Sequence, residues 1–212
     1  MQVPCDWSVR GMQTWVPGCV RVPTLKMYPA ISSKTRPVDL LLMHYTAGRD
    51  APMLPRVRSW AEDGKRVSST HIVVSRNPKL QPTVQLAPLE ARTWHAGPKA
   101  VWRGSKGVNA RSIGVDGDNL GYLHTNGGRF YDAYDRPYKG PKPFIDAHGV
   151  AWEPYTEECV IELCRVVKFI AEVYPVLRTD SDRVCGHEDV VSTKRDPGPA
   201  FPWEFVRKAL SE

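Results

Sequence analysis

The sequence of 212 residues has no long hydrophobic run and no recognisable export signal. A helix that crosses a bilayer needs roughly 18 or more consecutive apolar residues, and no stretch of the chain approaches that length. Residues 1–7 also lack the basic start and apolar segment of a secretory signal. We therefore expect no integral membrane segment, and synthesis in the cytoplasm without a signal peptide.

Cysteines are few, and they do not form a recognisable framework. The five cysteines are an odd number without a Cys-x-x-Cys pair, which argues against a complete set of disulfides. Cys159 and Cys164 fall within a helical pattern, where we interpret them as small buried hydrophobic residues. We interpret Cys185, close to His187, as a packing residue, and metal ligation is the alternative.

Runs of lysine and arginine and the basic-aromatic motifs of nucleic-acid-binding proteins are also missing. We therefore expect no nucleic-acid partner. The formal net charge is nevertheless +6, from 29 basic and 23 acidic residues. Such a charge favours a polyanionic partner such as an anionic cell envelope, and the alternative is an ordinary basic soluble protein.

The chain is long enough for one domain with a substantial core, and it contains no internal repeat. Residues 1–36 are rich in Pro, Gly, Trp and Val without clear periodicity. We predict that they form an N-terminal extension packed on the core. Residues 37–212 then form the main domain.

Short strand patterns mixed with helical patterns predict an α/β fold, with a single mixed β-sheet flanked by helices. Asp39–Met43 is a short apolar run, typical of a strand buried on both faces. Residues 117–151 are rich in Gly and Pro and are expected to be an irregular surface excursion. The other predicted elements are strands at 72–74, 83–86, 112–116 and 183–185 and helices at 55–63 and 156–174.

Chemically capable side chains stand at the ends of three predicted strands, namely His44, Asp116 and His187. Ligands of open α/β sheets bind at the carboxyl ends of the strands, so we expect these side chains to share one cleft. Two histidines together with Asp196 can hold Zn²⁺ and leave a fourth position open for water. Lys194 could stabilise the negative charge that develops when water attacks a carbonyl. The pattern predicts a zinc hydrolase.

The sequence around these residues resembles the type-2 N-acetylmuramoyl-L-alanine amidases, zinc enzymes related to peptidoglycan recognition proteins and phage endolysins. The resemblance covers about residues 38–206. It rests on blocks that follow the family order, namely His44-Tyr45-Thr46-Ala47, Val67-Ser68-Ser69-Thr70-His71, Thr93-Trp94-His95-Ala96-Gly97, Ser112-Ile113-Gly114-Val115, Gly186-His187-Glu188-Asp189 and Lys194-Arg195-Asp196-Pro197-Gly198-Pro199.

The resemblance implies an amidase-like fold, peptidoglycan as the substrate and a catalytic role for Lys194. It implies zinc ligands at His44, His187 and Asp196.

Substrate contacts are implied at Trp94 and His95, which would line the muropeptide groove. We also place His71 at the substrate site, either supporting it from behind or packing structurally.

One position departs from the family pattern. The acid/base residue of the family is usually glutamate, and here it is Asp116. Because aspartate has one methylene fewer, its carboxylate reaches about 1.5 Å less far. Asp118 is the alternative base. Thr70 stands where some family members have a tyrosine.

The implied reaction is hydrolysis of the amide between the lactyl group of N-acetylmuramic acid and L-alanine. The net charge and the N-terminal segment favour a monomeric phage or prophage endolysin that acts in the host periplasm after release. The alternative within this activity is a cytosolic enzyme that recycles anhydro-muropeptides. An alternative of another class is a non-catalytic peptidoglycan-binding module.

Overall fold

The computed structural model describes residues 13–27, 36–48, 53–65 and 67–212. Its elements are, in chain order, β1 (Val20–Arg21), β2 (Leu40–Tyr45), α1 (Met53–Glu62), β3 (Ile72–Val74), β4 (Val84–Gln85), α2 (Val108–Arg111), β5 (Ser112–Gly117), β6 (Tyr122–Asn126), β7 (Arg129–Tyr131), β8 (Phe144–Ile145), β9 (Ala151–Trp152), α3 (Glu157–Val173), β10 (Val184–Gly186) and α4 (Trp203–Ser211). Two 3₁₀ turns, Pro175–Arg178 and Ser181–Arg183, connect α3 to β10. None of the helices in these ranges is long and apolar enough to span a membrane.

The main sheet has six strands in the order β1-β4-β3-β5-β2-β10. All neighbouring strands are parallel except β3 and β4, so the sheet is mixed. The apolar run of β2 lies between two parallel neighbours, where both of its faces are covered. Helices pack against the sheet, which confirms the predicted fold class.

Alternation along β2 divides the core between the two faces of the sheet. Leu41 and Met43 pack in the large cluster that contains the buried face of α3, including Leu163. Leu40 and Leu42 pack on the opposite face, in a cluster formed mainly by loop residues. His44 continues the second series, so its side chain belongs to the face that α3 does not cover.

Helix α3 forms as its sequence predicts. Thr156 caps it by accepting a hydrogen bond from the Cys159 amide, and Glu157 and Glu158 place negative charge near its amino end. The predicted span of 156–174 agrees with the observed helix to within one residue at each end. Cys159 is buried as expected, whereas Cys164 is only partly buried.

The predicted irregular excursion at 117–151 is wrong, because most of it is built around a second sheet in the order β7-β6-β9-β8. Strands β6 and β7 form a hairpin in which Asn126 pairs with Arg129. The loop between them is Gly127-Gly128, with φ of 56° and 74°. Two positive φ angles are typical of the tight hairpin turns that favour glycine. The Gly-Gly pair was therefore the local signal for this hairpin.

Part of the predicted N-terminal extension adds to the main sheet, because β1 pairs with β4 at its edge. Val16 is buried, and its amide donates to the Gln85 side chain. Residues 1–12 and 28–35 of the extension lie outside the described residues. The division of the chain at residue 36 therefore stays a prediction.

Candidate active site

Parallel strand pairing brings three of the predicted side chains to one edge of the main sheet. His44 in β2 stands directly opposite Asp116 in β5. His187 follows β10, and its amide donates to the Met43 carbonyl at 3.2 Å. The predicted convergence of strand ends is therefore present in the structure.

The loop after His187 returns Asp196 to the same place. The Glu188 amide donates to the Asp196 carbonyl at 3.1 Å, which closes the loop. The Oδ2 atom of Asp196 lies 2.7 Å from His44 Nδ1 and 3.0 Å from His187 Nδ1. One ligand atom from each of the three residues falls within a span of 4.8 Å.

Charge in this cluster is strongly coupled. Burial would raise the pKa of Asp196, but hydrogen bonds from His187 and His44 outweigh it and hold that pKa well below its ordinary value. Burial would lower the pKa of His44, but the hydrogen bond to Asp196 and the charge of Asp116 raise it overall. The position between His44 Nδ1 and Asp196 therefore favours a cation, whether a proton or a metal ion.

The donor set fits a divalent metal ion. Imidazole nitrogen and carboxylate oxygen are zinc ligands that bind at about 2.0–2.2 Å, and donors about 3 Å apart can share one ion. The Nε2 atom of His187 lies 3.2 Å from the Ala96 carbonyl. A proton on that nitrogen leaves Nδ1 free to bind a metal, as is usual for ligand histidines.

A chain of hydrogen bonds places the proton of His44 on Nε2, as the Ala96 carbonyl does for His187. The Ser112 hydroxyl donates to the Val108 carbonyl at 2.6 Å, so it accepts from His95 Nε2 at 3.0 Å. His95 Nδ1 then accepts from His44 Nε2 at 3.1 Å, which leaves His44 Nδ1 for the metal. Burial lowers the pKa of His95, which keeps this ring neutral. Ser112 is a residue of the site that the sequence patterns do not predict.

The cluster opens into a cleft of about 580 Å³. Asp116 and Lys194 line this cleft together with the three candidate ligands and His95. Asp116 is partly buried, and its Oδ2 atom has no hydrogen-bond partner among the described residues. Burial raises the pKa of this carboxyl above its ordinary value, although a hydrogen bond from Thr70 opposes the shift. A carboxyl group with a raised pKa and one oxygen without a hydrogen-bond partner is suited to proton transfer.

Asp118 is held in a different environment. It accepts from Arg56 at 2.6 Å, from Arg76 at 3.2 Å and from Thr46 at 3.3 Å. Arg76 also pairs with Glu153, which follows the second sheet. Because Asp118 is fully engaged and does not line the cleft, it is disfavoured as an alternative base.

His71 is not among the residues that line the cleft, and its substrate role stays a prediction. It is fully buried, with Nδ1 accepting from the Gly114 amide at 3.1 Å and Nε2 donating to the Ala91 carbonyl at 2.9 Å. Burial and the charge of Arg36 lower its pKa to about 3. Structural packing, one of the roles considered for His71, is what the structure supports.

Trp94 is half-buried beside the cleft rather than in its lining. Its backbone exchanges hydrogen bonds with Ser69, a lining residue, at 3.0 and 3.1 Å. Any contact of Trp94 with substrate would thus be peripheral.

A cluster of this kind at the carboxyl edge of a mixed sheet is suited to metal-assisted hydrolysis. Comparison with known protein families identifies which family of hydrolases this is. Residues 34–199 match the N-acetylmuramoyl-L-alanine amidase family, Amidase_2, and the chain belongs to it. The resemblance inferred from the sequence blocks is confirmed.

Curated relatives include the N-acetylmuramoyl-L-alanine amidase AmiD of Escherichia coli (strain K12), 28% identical over 171 residues. That match covers 79% of this chain and 51% of AmiD. The 1,6-anhydro-N-acetylmuramyl-L-alanine amidase AmpD of Enterobacter cloacae is 28% identical over 129 residues, covering 60% of this chain and 51% of AmpD. The chain therefore spans about half the length of these curated relatives.

Solved structures agree with the fold. E. coli AmiD in complex with anhydro-N-acetylmuramic acid-L-Ala-D-gamma-Glu-L-Lys is 26% identical, with a TM-score of 0.60, covering 85% of this chain and 60% of that chain. A selenomethionine AmpD structure shares the fold at 20% identity and a TM-score of 0.58. The match covers 92% of this chain and 96% of that chain.

We predict that His71→Ala destabilises the protein rather than weakening substrate binding. The change leaves the Gly114 amide and the Ala91 carbonyl buried without partners, each at a cost of about 1–3 kcal/mol. Urea unfolding should show the loss of stability, whereas KM on a muropeptide should stay near the parent value. His124→Ala, in the second sheet, is the control and should cost little. A raised KM with unchanged stability would instead place His71 in contact with the substrate.

Proposed function

We propose that the protein is a zinc-dependent N-acetylmuramoyl-L-alanine amidase that cleaves the amide between the lactyl group of N-acetylmuramic acid and L-alanine. The observation that carries this proposal is the convergence of His44, His187 and Asp196 beside the unpaired carboxylate of Asp116. Family membership supports the same bond as the target.

The residues that would hold zinc are His44 and His187, through their Nδ1 atoms, and Asp196, through a carboxylate oxygen. When bound, zinc supplies Lewis-acid polarisation of a carbonyl and a water whose pKa falls from 15.7 to about 7. His95 and Ser112 contribute by fixing the orientation of His44.

Two other side chains serve the reacting groups. Asp116 accepts a proton at Oδ2 as the nucleophile forms and delivers it to the departing L-alanine nitrogen. The Lys194 ammonium group stabilises the negative charge that develops on the carbonyl oxygen. Asp116 lines the cleft and is paired with His44 across β2 and β5. This position on β5 supports its role although aspartate is shorter than the glutamate usual in the family.

The curated relatives support soluble muropeptides as the substrate class. AmpD, by its name, acts on 1,6-anhydro-N-acetylmuramyl-L-alanine, and AmiD has been solved with an anhydro-muropeptide. The endolysin amidase LysCS from Clostridium intestinale shares only the fold, at 18% identity. We therefore favour the recycling type of amidase over the endolysin expected from the net charge.

We predict one zinc ion per chain. His187→Ala removes a ligand and should lose most of the metal, and chelation should abolish activity reversibly. Elemental analysis of the purified protein measures the metal content, and an activity assay before and after zinc is restored measures the effect of chelation. The matched control is His148→Ala, which removes an exposed histidine and should keep full occupancy. Full occupancy in the His187 variant would exclude this residue from the metal site.

A second prediction separates proton transfer from metal binding. Asp116→Asn should retain zinc and fold but lower kcat by about 10²–10⁴-fold, the usual contribution of general acid–base catalysis. Lys194→Ala should also lower kcat with the metal retained. Asp135→Asn, on the exposed surface, should behave as the parent. Activity within a few-fold of the parent in Asp116→Asn would assign the proton transfer to another group.

The substrate setting is tested by comparing a soluble anhydro-muropeptide with insoluble peptidoglycan. We expect faster cleavage of the soluble compound, with a new L-alanine amino terminus identified by mass spectrometry. Preference for the polymer, with turnover that falls as salt screens charges beyond about 8 Å, would favour an endolysin. Binding of either substrate without any new terminus would favour a non-catalytic binding module.

A further inference from the structure

Arg195 is a cleft residue to which the proposed reaction gives no role. It stands between Lys194 and Asp196, it is exposed, and it lines the cleft. Its guanidinium carbon lies 5.2 Å from the centre of the Tyr122 ring, which lines the same cleft. An arginine stacked on an aromatic ring is held in position while the edges of its guanidinium group stay free for hydrogen bonds.

Tyr122 is itself well anchored. It opens β6, pairs with Trp152 in the second sheet and makes an edge-on ring contact with that residue at 6.0 Å. The platform beneath Arg195 is therefore part of a sheet rather than a free side chain. The second sheet thus supplies one wall of the cleft.

The donors of Arg195 have no carboxylate partner among the described residues. Arg76, by contrast, is engaged by both Asp118 and Glu153. A cation held at the rim with free donors is suited to a planar anion such as a carboxylate.

The leaving peptide carries such a group close to the cleaved bond. In the sequence L-Ala-D-γ-Glu, the side-chain carboxyl of glutamate forms the next peptide bond, so its α-carboxylate is free. This carboxylate lies one residue beyond the amide that would be cleaved. Arg195 is adjacent to Asp196 and lines the same cleft. One residue of extended chain spans at most about 3.3–3.6 Å, so this carboxylate stays close to the candidate metal ligands.

We propose that Arg195, stacked on Tyr122, binds the free α-carboxylate of the γ-linked glutamate and makes the protein selective for stem peptides that carry it. This inference rests on the proposed amidase function. It adds a specificity-determining residue that acts on the leaving peptide, whereas Lys194 acts on the carbonyl oxygen.

The test uses two muropeptides that differ in one group. The first is N-acetylmuramoyl-L-Ala-D-γ-Glu-L-Lys, and the second carries a carboxamide in place of the glutamate α-carboxylate. A charge-assisted hydrogen bond at a partly exposed site contributes about tenfold to binding. The parent should therefore show a KM about tenfold lower for the carboxylate, and Arg195→Ala should remove that difference with a smaller change in kcat.

Arg207→Ala is the matched control. Arg207 is also exposed and stacked on an aromatic ring, 5.3 Å from the centre of Trp203 in α4, but it does not line the cleft. It should keep the tenfold preference. Arg195→Lys keeps the charge but loses the planar fork, so its preference should be intermediate. Tyr122→Phe should keep the preference, whereas Tyr122→Ala should reduce it.

Zinc content measured on each variant shows whether Asp196 is undisturbed. A preference that survives in Arg195→Ala would overturn the proposal. Equal loss in Arg207→Ala would overturn it as well, because net charge rather than one residue would then set the preference.

A binding measurement separates this proposal from the proposed reaction. Calorimetry with the free tripeptide L-Ala-D-γ-Glu-L-Lys and its α-carboxamide reports the subsite without any turnover. If the parent cleaves neither muropeptide but binds the carboxylate form more tightly through Arg195, the subsite stands and the amidase proposal fails. If it cleaves both equally well and binds both tripeptides equally, the subsite fails and the amidase proposal stands.

Discussion

The parallel pairing of β2 with both of its neighbours is the constraint on which the site depends. It sets His44 opposite Asp116 on one side, and on the other it ties His187 to the Met43 carbonyl. A slip of one residue in either pairing would turn the affected side chains to the opposite face of the sheet. The apolar alternation of β2 prevents such a slip, because Leu41 and Met43 must stay against α3. The geometry of the polar cluster is thus secured by hydrophobic side chains that pack on the opposite face of the sheet.

Three aspartates at this edge of the sheet have different chemistry because their surroundings differ. Asp196 is held ionised by two imidazoles, and Asp118 is enclosed by two arginines. Asp116 keeps a buried oxygen without a hydrogen-bond partner among the described residues, and burial raises its pKa. Assigning acid, base and ligand roles by environment is a general feature of sites with several carboxylates. Here the assignment follows from strand register and from which cations each loop brings near.

Much of the main sheet and the cluster could be predicted from local patterns. Short stretches of sequence are enough to predict the apolar strand before His44 and the capped helix α3. The family blocks indicate His187 and Asp196. The burial of His71 could not be predicted in this way, because its partners Ala91 and Gly114 are distant in sequence.

The same limit applies to contacts between separate segments. Ser112 orients His95, from which it is 17 residues distant in sequence. Arg195 contacts Tyr122 only once the second sheet has formed. The second sheet itself was missed for another reason. Its strands are short, its glycines and prolines were interpreted as irregular structure, and the Gly-Gly turn signal was overlooked.

The ion pairs around Asp118 have a consequence for how this protein can change over evolutionary time. Arg56, Arg76, Asp118 and Glu153 join α1, the main sheet and the second sheet in one network, and both acids are almost completely buried. Losing Arg76 would leave the buried Glu153 carboxylate without its counterion, which is far more costly than exchanging a complete pair for apolar residues. Substitutions at these positions are therefore expected to arise together in related chains, even though none of the four side chains lines the cleft.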